Sequence, residues 1–199
     1  AQLYFREGLH RTPAQFEYFF RSNPDYDSHQ AGYAVFAGLG PLLDWLARTR
    51  CQERDLACLR SQTGPAEERV FGDDFLDWLA AEGHFGAVSV RGLQEGRVMH
   101  PGEPVLVVRG PLAMCQILET PLLNHLNYPS LIATKAARVH ASARGGSVLE
   151  FGMRRGPGEA VNAGARAALI GGADFTSNVG ASHVVGLPPR EPQRRGGAE

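Results

Sequence analysis

The sequence has almost no net charge: 20 Lys and Arg against 21 Asp and Glu leave −1. A dedicated nucleic-acid binder would show a basic excess, so that class is set aside. No run of about 18 apolar residues occurs, which excludes a spanning helix. Residues 1–11 lack a basic start followed by an apolar stretch, so no secretory signal is expected there. Cysteine is scarce. Cys51, Cys58 and Cys115 form no CxxC pair and have no ordered His partners. That spacing argues against a disulfide framework and a zinc site. It suits reduced thiols in a cytoplasmic protein. Lysine is nearly absent, with Lys135 alone beside 19 Arg. We read this bias as coding background, and it draws attention to the one Lys retained.

Apolar residues make up 43% of the 199. That is enough for a core, and with the low net charge it excludes a disordered polymer. The length suits one domain or slightly more. Glycine is abundant at 24 residues, half of them after residue 144. Tight turns or close backbone approaches are therefore expected in the last quarter.

Thr12-Pro13 reads as an N-cap and first helical residue, which predicts a helix over 13–22 with Phe16, Phe19 and Phe20 as a core stripe. Residues 33–39 read as a buried strand, and Pro41 opens a helix. Residues 49–69 read as a helix extension and a loop. Residues 71–81 predict an amphipathic helix with Phe75, Leu76, Trp78 and Leu79 inward. Asp73, Asp74 and Asp77 suit its first turn by dipole logic and a solvated face. Residues 87–110 alternate, predicting three or four short antiparallel strands. A long helix begins at Pro111, with Leu112, Cys115, Leu118, Leu122 and Leu126 stepping by three or four. Pro121 predicts a kink or restart in it, and 130–143 predicts a further helix. A strand at 147–151, a helix at 159–170 and a strand at 173–176 make a βαβ unit. A short helix is expected at 178–185. Residues 188–199 have no apolar face, and disorder is expected.

Two segments could carry chemistry. In Glu150-Phe151-Gly152-Met153-Arg154-Arg155-Gly156, two arginines follow a strand within a glycine turn. Ligands gather at the C-terminal ends of parallel strands, and the guanidinium fork matches carboxylate or phosphate oxygens. A surface salt-bridged turn is the plain alternative. In Thr176-Ser177-Asn178, hydroxyl and backbone donors follow a strand at a helix start, which is anion-binding geometry. An ordinary N-cap is the alternative there.

The blocks LIATKAAR, LEFGMRR, GGADFTSNV and VVGLP resemble those of the nicotinate phosphoribosyltransferase family. YAVFAGL, FGDDFLDWL, MHPGEPVLVVRGPL and ILETPLLNHLN resemble it as well, in collinear order over roughly residues 1–187. The resemblance implies an α/β fold. Residues 1–128 would form an N-terminal α/β domain with an open antiparallel sheet. Residues 129–187 would begin an irregular α/β barrel of the type II phosphoribosyltransferase kind. It implies that nicotinate and phosphoribosyl pyrophosphate give nicotinate mononucleotide in NAD synthesis. ATP and Mg2+ would serve as co-substrate, with no tightly bound cofactor and no protein metal site. It implies a homodimer. Carried over residue by residue, Phe151 and Arg154 would hold the pyridine ring and nearby groups. Arg155 stands beside them as a second guanidinium. Thr176, Ser177 and Asn178 would lie near the pyridine substituent, and Lys135 and Arg138 would supply positive charge. The related nicotinamide enzyme carries an acid at the place of Ser177, so Ser177 favours the acid over the amide as substrate.

The sequence departs from the family at both ends. The aspartate-leucine-tyrosine-glutamine segment expected before Ala1 is missing. So is the Gly-Thr-x-Ala-His-Ser block expected after VVGLPP, whose His is the one phosphorylated by ATP. None of the seven histidines takes its place. A barrel needs about 200 to 250 residues, and about 60 remain for it. The expectation is therefore a truncated or frame-shifted chain with no catalytic residue of its own. The alternatives are an inactive fragment serving as a binding or assembly module, and a quinolinate phosphoribosyltransferase-like enzyme. A nucleic-acid contact through the arginines of the tail is disfavoured because the tail has no aromatics.

Overall fold

The computed structural model describes residues 1–25 and 31–181. The expectations for 182–199, including the tail and the second half of the helix at 178–185, lie outside the described residues.

Helix α1 (Gln2–Arg6) leads into strand β1 (Pro13–Tyr18). This corrects the helix expected over 13–22. β1 pairs antiparallel with β5 (Leu106–Pro111), from Pro13 opposite Pro111 to Tyr18 opposite Leu106. Ala14, Phe16 and Tyr18 also alternate with Gln15 and Glu17, so the segment satisfies a period of two as well as helical spacing. The cross-strand pairing decides between them, because β preference depends on neighbours. Pro13 is tolerated as the first residue of an edge strand. The aromatic stripe changes role in consequence. Phe20 packs against the core, but Phe16 and Phe19 stay 40% and 48% exposed.

The three-stranded sheet has the order β1-β5-β3, with β3 at Ser89–Gly92. β2 (Ala34–Val35) pairs antiparallel with β4 (Val98–Met99). The strand expected over 33–39 is thus only two residues long, although Ala34, Val35, Phe36 and Ala37 are all buried. Its backbone is satisfied instead by hydroxyls of the long helix. Val35 N donates to Thr134 Oγ1 at 2.8 Å, and Ala37 N to Ser130 Oγ at 3.2 Å. Two buried polar side chains in a core helix are explained by this, since a buried amide without an acceptor is costly.

Helices α2 (Leu39–Arg48), α3 (Glu53–Arg60) and α4 (Asp73–Glu82) follow β2. In α4, Phe75, Leu76, Trp78 and Leu79 are buried as the periodicity predicts. Asp73 is held by Arg69, with N···O distances of 2.6 and 2.8 Å, on an exposed face. Cys51, Cys58 and Cys115 are free thiols. Burial pushes the Cys51 and Cys115 thiols up, away from the reactive thiolate.

Helix α5 (Leu112–Ser142) is continuous for 31 residues, about 47 Å at 1.5 Å per residue. This corrects the expected restart at Pro121 and the separate helix at 130–143. Both Pro121 and Pro129 lie inside the helix. A proline removes one amide and frees the carbonyl four residues earlier, and for Pro129 that carbonyl belongs to His125. Gly38 packs directly on this carbonyl, and a Cβ at Gly38 would overlap it. Gly38 also has φ +105°, a region open to glycine. Cys115, Leu118, Leu122 and Leu126 are buried along α5, as their spacing predicts. Among the described residues no helix is long and apolar enough to cross a membrane.

After α5 come β6 (Leu149–Glu150), α6 (Ala160–Ile170) and β7 (Phe175–Thr176). β6 and β7 pair in parallel, with Leu149 opposite Phe175 and Glu150 opposite Thr176. This is the predicted βαβ unit. α6 packs along α5, where Ala167 joins Ala133, Val35 and Ala37 in a small-residue cluster.

Candidate functional site

The parallel register puts the C-terminal ends of β6 and β7 side by side. Each end carries one of the segments singled out from the sequence. After β6, residues Gly152–Arg154 form a single 3-10 turn, and Arg155 N closes on Gly152 O at 2.8 Å. Phe151, Arg154 and Arg155 are all exposed. Phe151 is 68% exposed, the most open of the aromatic rings among the exposed large hydrophobic side chains of the described residues. After β7, Thr176 is half-buried, Ser177 is exposed and Asn178 is buried.

A polar network joins the two ends. Thr176 Oγ1 donates to Glu150 Oε2 at 2.6 Å and accepts from Asn178 N at 3.0 Å. Ser177 N donates to the Glu150 carbonyl at 3.0 Å. Asn178 Nδ2 donates to Asn162 Oδ1 at 2.8 Å, and Asn178 Oδ1 accepts from Ala181 N at 3.1 Å. The Thr176 and Asn178 side chains are thus committed to the turn itself. Phe151, Arg154, Arg155 and Ser177 face outward. The structure therefore brings six of the eight predicted site residues to one end of one small sheet. Lys135 and Arg138 stand on α5, outside the two turns. Lys135 is exposed and Arg138 half-buried.

Sequence reasoning missed what supports this end. Glu150 is visible in the motif, but its sequence neighbours give no sign of a bridging role. Asn162, which donates its Nδ2 to Glu159 Oε2 at 2.7 Å and accepts from Asn178, gives no local signal at all. The ion pair of Glu95 with Arg166 is also missed, because 71 residues separate the partners. Arg166 on α6 binds the Glu95 carboxylate with both nitrogens, at 2.7 and 2.8 Å. Glu95 also accepts from Gly38 N at 2.6 Å and Gly40 N at 3.3 Å, at the start of α2. Burial alone would push the Glu95 carboxyl up. The Arg166 guanidinium and the Gly38 and Gly40 amides outweigh it and hold the carboxyl below its ordinary value. This pair ties α6, which connects the two site-bearing strands, to the N-terminal elements.

Grooves of about 390 and 480 Å³ run elsewhere, along β1 and α5, and share Tyr18, Phe19, Arg21 and Leu123. Neither is lined by the strand-end residues.

An open antiparallel sheet, a long helix and a parallel βαβ unit with cationic and hydroxyl groups at its strand ends define the type II phosphoribosyltransferase class of fold. Solved structures bear this out. The chain superposes on human nicotinic acid phosphoribosyltransferase with a TM-score of 0.81 and 35% identity, covering 97% of this chain and 37% of that one. It shares the fold of nicotinate-nucleotide pyrophosphorylase from Pyrococcus furiosus, with a TM-score of 0.65 and 24% identity over 93% of this chain and 37% of that one. The chain belongs to the nicotinate phosphoribosyltransferase family, since residues 1–127 match that family's N-terminal domain. It is 40% identical to the Bacillus subtilis nicotinate phosphoribosyltransferase over 189 residues, 94% of this chain and 36% of the relative. It is 38% identical to the human one over 188 residues, 93% of this chain and 33% of the relative. The chain therefore spans about one third of the length of these curated relatives.

Proposed function

We propose that this chain forms the nicotinate-binding part of a nicotinate phosphoribosyltransferase. The enzyme joins nicotinate to the ribose of phosphoribosyl pyrophosphate, with ATP hydrolysis, in NAD salvage. The observation that carries this reading is the exposed Phe151 ring in the same turn as Arg154 and beside Ser177. Nicotinate is a flat anion. A ring can stack on Phe151, and a carboxylate matches the guanidinium fork of Arg154 or Arg155. Ser177 adds a neutral donor where a carboxylate would repel the substrate. Thr176 and Asn178 shape the turn that presents it. Lys135 and Arg138 add positive charge toward the phosphate-bearing substrate. In the reaction the pyridine nitrogen's lone pair forms the bond to the ribose C1, and pyrophosphate departs with the electrons of the bond that breaks. The protein's part at this end is orientation of the ring.

Around this core we place the division into an N-terminal domain at 1–128 and the start of a barrel at 129–187, a homodimeric assembly and a cytoplasmic setting. ATP and Mg2+ enter as co-substrates of the whole enzyme. Among the described residues no three His, Cys, Asp or Glu side chains gather to hold an ion.

Calorimetric titration with nicotinate and nicotinamide tests the reading. Nicotinate should bind in preference. Arg154→Ala should weaken it at least about tenfold, the loss of one charge-assisted contact. Ser177→Asp should shift the preference toward nicotinamide, because like charges repel and the amide can donate. An unchanged preference in Ser177→Asp would remove Ser177 from the pyridine substituent. Unchanged nicotinate affinity in Arg154→Ala would remove the anion anchor.

A further inference from the structure

Glu150 is the last residue of β6, and its carboxylate reaches both strand-end turns at once. Oε1 accepts from the Gly152 amide, at the start of the turn that carries Arg154. Oε2 accepts from Thr176 Oγ1 at 2.6 Å. That hydroxyl oxygen in turn accepts from Asn178 N at 3.0 Å. The carboxylate lies close over the first turn, where a Cβ at Gly152 would stand 2.6 Å from Oε1. The strands themselves cannot fix this geometry. β6 and β7 are two residues each, too short a ladder to hold two turns in register. The Ser177 N to Glu150 O bond ties the second turn to β6, and one side chain bridging both turns supplies a further constraint that also reaches the Arg154 turn.

We infer that Glu150 is a positioning residue. It sets the spacing between the Arg154 turn and the Ser177 turn, and so between the guanidinium and the hydroxyl that would receive a pyridine carboxylate. The inference rests on the nicotinate reading of the site. Charge-assisted acceptance by a carboxylate is stronger than between neutral groups, which suits Glu for the task. A side chain that fixes its neighbours leaves less to be ordered when a ligand arrives.

The test uses the whole chain with Glu150→Ala, Glu150→Gln, Thr176→Val and the Glu150→Ala/Thr176→Val double variant. Glu150→Ala and Thr176→Val should each weaken nicotinate about tenfold in calorimetric titration. The double variant should be no weaker than the worse single one, because both remove the same bridge. Glu150→Gln keeps one acceptor oxygen and should recover part of the affinity. Amide hydrogen exchange without ligand provides a second readout. The Asn178 amide does not touch Glu150, yet it should exchange faster in Glu150→Ala while the buried amides of α5 keep their protection. Thr176→Val preserves shape, so it reads the bridge even if Glu150→Ala fails to fold. Wild-type nicotinate affinity in both single variants overturns the positioning role, as does unchanged Asn178 exchange. A wild-type chain that binds no nicotinate overturns the nicotinate reading instead, and Asn178 exchange then decides the bridge alone.

Discussion

Around α4, β5 and the first half of α5, the core is built from large side chains: Phe36, Leu42, Leu76, Leu106, Leu118 and Leu126 are all essentially inaccessible. Around α6 the packing is of another kind. Ala165, Ala167 and Ala168 are buried, and Gly171 sits against the Ala133 carbonyl so tightly that a Cβ would overlap it. Gly164 lies under the Tyr128 hydroxyl, where a Cβ would come within 2.9 Å. The first region gains stability from apolar area. The second gains closeness between backbones, with little apolar volume per residue, and depends on polar bridges such as Glu95 with Arg166 and Glu150 with Thr176. The region that carries the candidate site is thus held by geometry rather than by bulk. Substitutions should hurt the two regions in opposite ways: by truncation in the first and by enlargement in the second.

The largest effect belongs to the large-residue core. Phe36→Ala should lower unfolding free energy by about 3–5 kcal/mol, from lost transfer energy and the cavity left behind. Urea unfolding measures it. A cost below that of Gly171→Ala would break the contrast between the regions.

Next comes the bridge between them. Arg166→Ala leaves the Glu95 carboxylate with only the Gly38 and Gly40 amides. Breaking a buried pair costs about 3–5 kcal/mol. Here the two side chains keep 21% and 17% of their exposure, so solvent screening reduces the expected loss to about 2–3 kcal/mol. The pair also predicts a pH dependence. The folded Glu95 carboxyl lies below its ordinary value of 4.5. Its contribution is therefore fully present above that value and is lost as the pH falls from there through the lower folded value. Glu95→Gln should flatten this acid limb in a series of thermal melts. A limb as steep as wild type would assign it to another carboxylate.

Gly171→Ala should cost about 1–3 kcal/mol by overpacking. Its φ of −75° is open to alanine, so the loss would be steric rather than conformational. Chemical unfolding beside Phe36→Ala places the two on one scale.

The smallest effect is expected at the exposed pair of Arg69 with Asp73. Arg69→Ala should leave the melting midpoint where it is, because exposed ion pairs are screened. A clear drop would mean that the surface of α4 contributes to holding the large-residue core.

Much of this chain was legible before any coordinates. The α4 stripe, the buried spacing along α5 and the β6-α6-β7 unit follow from periods of 3.6 and 2 and from glycine stops. So do the two strand-end segments, because arginines in a glycine turn and a Thr-Ser-Asn run are local features. The failures are equally physical. Residues 13–18 satisfy two periods at once, and only the partner strand β5 selects one. Pro121 predicts a kink or restart, yet α5 is one continuous helix through both Pro121 and Pro129. Tertiary packing around it, including Gly38 on the freed His125 carbonyl, outweighs the local penalty.

The sequence by itself determined the family resemblance, the α4 helix and the β6-α6-β7 order, and it marked the candidate segments at 150–156 and 176–178, because each is written in contiguous residues. Only the tertiary structure decided that the two segments share one sheet end and that Glu150 bridges them. It alone decided that Glu95 and Arg166 join α6 to the start of α2. Those partners lie 26 and 71 residues apart, and a hydrogen bond across such a separation exists only once packing has brought its ends together.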